Sequence, residues 1–260
     1  MSRTLETQNS NNSSNLFVAS QDLADSLKLE LSALPPKVDN EVKGLIRQIK
    51  SCIEEKYGDF IPKKTIKRVK DAEHRAIVVD KGDFPSFYSE WNTAVKDGLV
   101  NYTQNIRGAN FTEGYLTGLY TPKDYTDLDW GDMSQDTRNY WIDNFGDEVT
   151  AKKKFGQLFF LHNLTHEEVH QYQSKSLPNL FSEGGAHYYQ RELKAKLGFG
   201  YVANELTEIQ NRAYRILIDV YGDDVHRVYF GQKMDCRKRE EILAAALTFE
   251  EELLKAKSRM

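Results

Sequence analysis

Residues 162 to 173 read HNLTHEEVHQYQ, which sets His162, His166 and His170 four residues apart in a chain with only six histidines. Helix positions i and i+4 stand one above the other about 6 Å apart, so two imidazoles so spaced can converge on one ion. A third cannot simply join them. Eight residues at about 1.5 Å rise put His162 roughly 12 Å from His170, too far for convergent bonds near 2.1 Å. The acid inside the pair decides which two belong together, because only 166 to 170 reads His-Glu-x-x-His, with Glu167 beside a ligand and able to face a metal-activated water. The spacing therefore predicts zinc on His166 and His170, with His162 left over.

The flanks support a helix. QLFFLHNLTHEEVHQYQ, 157 to 173, carries Leu158, Phe159, Leu161, Val169 and Tyr172, as a buried amphipathic helix would. Glu168 is turned about 100° from Glu167 and reads as a surface carboxylate. A catalytic zinc takes three protein ligands and leaves a fourth place open, so one more donor is required. After Pro178 comes NLFSEGGAHYYQREL, with Glu183 near a helix start and two glycines that permit close helix approach. Glu183 is the expected third ligand; His187, one turn on, is either a supporting donor or its replacement.

Working outward, the chain from 148 on reads as helices over 148 to 174, 180 to 197, 203 to 221 and 235 to 257, broken by Pro178, residues 198 to 200 and Gly222. Upstream, Val42, Leu45, Ile46, Ile49 and Ile53 give a helical period over 38 to 57, and Ser20 could cap another over 20 to 33. TIKRV and RAIVVD, between 64 and 82, have the β-branched content of strands, while 87 to 100 returns to a helical period. GYLTGLY, ending before Pro122, reads as an edge strand, and 124 to 147 carries no clear pattern. The expected fold class is α+β: a small antiparallel sheet and a mainly helical C-terminal half that holds the motif helix. Residues 1 to 19, rich in Asn and Ser, read as a disordered tail, and 20 to 260 as one domain.

Bulk properties narrow the function classes. With 260 residues, 40% of them hydrophobic, the chain can bury a real core, and a formal charge of −4 gives no electrostatic footprint for nucleic acid. The two cysteines, Cys52 and Cys236, fit neither a zinc ribbon nor a disulfide framework. No apolar run approaches the roughly 18 residues of a membrane helix, and no signal-like segment opens the sequence. The expectation is a cytoplasmic protein without a membrane partner, in which the sequons at Asn101, Asn110 and Asn163 are coincidental.

HEEVH followed by SEGGAHYY resembles the gluzincin zinc metallopeptidases, whose second helix carries a Glu-Gly-x-Ala type ligand motif. AYRILIDVYGDDVHRVYF, 213 to 230, is similar to the later helix of small gluzincins, and GYLTGLYTP to their substrate-aligning edge strand. The resemblance implies a zincin-like fold, zinc on His166, His170 and Glu183, and Glu167 as the general base in hydrolysis of a peptide or protein substrate. It also implies an oxyanion donor from the later segment, Tyr214 or His226. Two features depart from the pattern: only twelve residues separate His170 from Glu183, and His187 stands where several relatives carry an acid that orients the first histidine. Two readings compete with an enzyme: a closed structural zinc site with His187 as fourth ligand, and a metal-free helical interaction module. Glu167 favours the enzyme, because a structural site gains nothing from a carboxylate beside its ligands.

Overall fold

The computed structural model describes residues 40 to 257 apart from 72–74, 80, 86–107, 112–115, 121, 132, 176 and 198–204. The expected tail, the helix over 20 to 33 and the helix over 87 to 100 lie outside the described residues. Helices α1 (Asn40–Tyr57) and α2 (Lys63–Asp71) lead into three short strands, β1 (Arg75–Val79), β2 (Gly108–Phe111) and β3 (Leu116–Tyr120). Then follow α3 (Pro122–Asp129), α4 (Gln135–Phe145), α5 (Glu148–His170), α6 (Asn179–Leu197), α7 (Glu205–Tyr221), α8 (Asp224–Phe230) and α9 (Cys236–Lys257).

The α+β expectation is corrected. Helix predominates among the described residues and the strands are short, so the architecture is all-α, with no sheet forming a layer of its own there. The strand segments make a ribbon in the order β1-β3-β2, with β1 parallel and β2 antiparallel to β3, so it is mixed where an antiparallel sheet was expected. β3 is its middle strand, although GYLTGLY read as an edge. The segment TIKRV is also helical, within α2. Its apolar residues explain why: Ile66 and Val69 stand three apart and Val69 is buried, a helical period that outweighs β-branched content. The unassigned stretch before 148 folds as α3 and α4; Ser134 caps α4 by accepting from Thr137 N–H, and Gly146, at φ 96°, closes it.

Helix α5 is the axis of the fold. Asp147 caps it, its carboxylate accepting from Thr150 N–H at 3.0 Å. Around it pack α1, α3, α4 and α6, with the β ribbon alongside, and α7, α8 and α9 build on α6. Almost every residue of α5 from Phe155 to Val169 is buried, so the helix is apolar or sealed all round rather than along one stripe. Leu45, Ile46, Ile49 and Ile53 of α1 are buried as their period predicts. No helix among the described residues is long and apolar enough to cross a membrane.

Candidate metal centre

The last turn of α5 and the first turns of α6 bring together the three residues expected as ligands. His166 Nε2 lies 3.0 Å from His170 Nε2 and 3.2 Å from Glu183 Oε2, and His170 Nε2 lies 3.7 Å from Glu183 Oε1. These are the one group of three potential ligands found among the described residues, and their donor atoms all fall within 4.8 Å of one another. Two bonds of about 2.1 Å at a tetrahedral angle put donor atoms roughly 3.4 Å apart, so the observed separations bracket what zinc requires. The donor chemistry fits as well: two imidazoles and a carboxylate are an ordinary set for a zinc that keeps one place open.

The electrostatics favour a cation at this point. Burial works to raise Glu183, but hydrogen bonds from His166 and His170 outweigh it and hold its carboxyl far below the usual range. Burial works to lower His170, yet the hydrogen bond and charge of Glu183, with Glu167 and Gln173, raise it to about 9. The paired shifts mean that positive charge on His170 is stabilised by the Glu183 carboxylate. Burial raises Glu167, opposed by His166 and His170 and reinforced by Glu183 and Glu168.

The sequence GlyGly after Glu183 is explained by what lies over it. A Cβ on Gly184 would stand 2.7 Å from the Gln210 carbonyl oxygen, so this glycine lets α7 approach α6. A Cβ on Gly185 would collide with the ring of Tyr229 and lie 3.0 Å from Tyr214 Cε2. Gly185 is thus the seat on which Tyr229 rests. The Tyr229 hydroxyl donates to Gln173 Oε1 at 3.2 Å, and burial, Tyr214, Glu183 and Glu167 together hold it protonated.

The other candidates make their hydrogen bonds away from the three converging donors. Tyr214 and His226 belong to a buried chain in which the Tyr189 hydroxyl lies 3.0 Å from that of Tyr214 and 2.7 Å from His226 Nδ1. Neither has a hydrogen bond to His166, His170 or Glu183. His187 packs its ring 4.4 Å from that of His166, but its Nδ1 faces Gln190 Oε1 at 3.4 Å and it is not among the converging donors. Burial and the neighbouring His166 push it down to about 2. His162 is buried behind the pair, pushed down to about 3 by burial and His166, and its carbonyl accepts from Gln190 Nε2. Glu168 is fully buried, against the expectation of a surface carboxylate, and its charge acts on Lys50 of α1.

Two residues at the centre were not singled out from sequence: Gln173 and Tyr229. Gln173 stands three residues after His170, a spacing that reaches a helix neighbour and could have flagged it. Nothing in the run VHRVYF distinguishes Tyr229 from a core aromatic. Comparison of the chain with models of known protein families, with curated proteins and with solved structures finds no match.

Proposed function

We propose that the chain is a zinc-dependent peptide-bond hydrolase of gluzincin type, acting in the cytoplasm on a peptide or protein substrate. The observation that carries this reading is the convergence of His166 Nε2, His170 Nε2 and a Glu183 oxygen, with the buried acid Glu167 one residue from the first of them. A zinc held there would supply Lewis-acid chemistry, polarising a peptide carbonyl and lowering the pKa of water towards 7. Glu167 takes a proton from the attacking water and delivers it to the leaving amine, and its raised affinity for a proton suits both tasks. The Tyr229 hydroxyl, held protonated by burial and by the charges of Glu183 and Glu167, could meet the developing oxyanion by exchanging its bond to Gln173 Oε1, and is the candidate donor in place of Tyr214 or His226. His187 is not among the converging donors, which favours an open fourth place and catalysis over a closed structural site. The cytoplasmic assignment rests on the two free cysteines, Cys52 and Cys236, which form no disulfide.

The test is digestion of a mixed peptide library by zinc-loaded protein, with products read by mass spectrometry. Wild type should cut, and Glu167→Gln should retain zinc and lose about 10²-fold to 10⁴-fold in rate, the usual contribution of a positioned base. No cleavage by wild type, or equal cleavage by the variant, would overturn the reading.

A further inference from the structure

We infer that Gln173 is a positioning residue that holds the metal ligand His170 and the Tyr229 hydroxyl through one amide oxygen. The inference rests on the metal reading above. Gln173 Oε1 lies 2.6 Å from His170 Nδ1 and 3.2 Å from the Tyr229 hydroxyl. An amide oxygen has two lone pairs, and Ser182 Oγ, 3.2 Å away, is a third group within reach of the same acceptor. Ser182 Oγ also lies 3.0 Å from Gln173 Nε2, from which it accepts, so the serine hydroxyl holds the amide from its other side.

Each bond has a consequence. With Nδ1 of His170 donating to Gln173, Nε2 is the nitrogen turned to His166 and Glu183 and the one a metal would take. His166 has no such support, since its buried Nδ1 lacks a partner among the described residues. The ring of His170 is therefore the one fixed in advance. With its hydroxyl tied to the same oxygen, Tyr229 is held over Gly185 and beside the ligands rather than free to turn away. Ser182 precedes Glu183 in α6, so the amide also ties the end of α5 to the turn that delivers the third ligand.

A carboxylate commonly supports a ligating histidine in this way. Here a neutral amide does so, and it adds no third negative charge to a pocket that already contains Glu167 and Glu183.

The test is zinc affinity, measured by competition with a chromophoric chelator, on full-length wild type, Gln173→Met and Gln173→Glu. Far-ultraviolet circular dichroism confirms that each is folded. Gln173→Met keeps the length and loses the acceptor, and should bind zinc about 10-fold to 100-fold more weakly. Gln173→Glu keeps the acceptor and should restore wild-type affinity to within about threefold. The cobalt-substituted proteins should show the same division, with the visible absorption altered in the Met variant and not in the Glu variant. Equal affinity in wild type and Gln173→Met, or equal weakening in both variants, would overturn this inference alone. A wild type that binds no zinc would overturn the metal reading and this inference together.

Discussion

The two faces of the last turns of α5 are made from adjacent residues and serve opposite ends. On one, His166, Glu167 and His170 look toward α6 and α8, with charges of like and unlike sign crowded within a few ångströms. On the other, the helix is pinned to the N-terminal helices. Arg68 Nη2 of α2 donates to the Gln171 carbonyl at 2.7 Å, and the Tyr172 hydroxyl donates to Glu54 Oε1 of α1 at 2.9 Å. Lys70 meets Glu54 Oε2 at 2.6 Å, and Lys50, lowered by burial, is raised in turn by Glu168 and Glu54. The rear face spreads its polar groups over bonds to α1 and α2, whereas the front face concentrates donors on one point. A fixed rear helps hold the crowded front in place.

The comparison breaks if the two neighbouring glutamates behave alike. Glu167→Gln carries the largest effect, on turnover, and should leave stability nearly unchanged. The same substitution one residue on, Glu168→Gln, should lower the urea-unfolding midpoint, because it leaves the partly buried Lys50 short of opposing charge. It should leave zinc content at the wild-type level. A Glu168→Gln protein of unchanged stability would mean that the rear network does not hold the helix.

Gly185→Ala sharpens the description of the front. The added methyl group collides with the Tyr229 ring, and such overpacking should cost about 1–2 kcal/mol. It should also lower turnover more than zinc affinity, since it moves Tyr229 and not the ligands. Thermal denaturation and steady-state rates on one preparation check both. A variant as stable as wild type would show that Tyr229 moves aside at no cost.

Much of this site was legible because its chemistry depends on local spacing. The pair His166 and His170 follows from helical geometry, and Glu183 follows from the need for a third donor after a short turn. The helix over Asn179–Leu197 and that over Glu205–Tyr221 end where the glycines near 198 and Gly222 were expected to stop them, while α5 ends at His170, short of the expected 174. Long-range contacts were not legible. Glu168 projects away from Glu167 as the helical angle requires, but only the packing of α1 behind α5 turns that direction from solvent into core. Tyr229 reaches the site because a glycine on another helix leaves room for its ring, and no periodicity within its own segment records that. The strand reading of TIKRV failed because β-branched content is a weak prior beside the spacing of Ile66 and Val69.

The central claim is that His166, His170 and Glu183 hold a zinc ion, and elemental analysis of purified wild type, Glu183→Ala and His162→Ala tests it most directly. One zinc per chain in wild type and in His162→Ala, with most of it lost from Glu183→Ala, is the predicted result. A metal-free wild type, or zinc retained in full without Glu183, would contradict it.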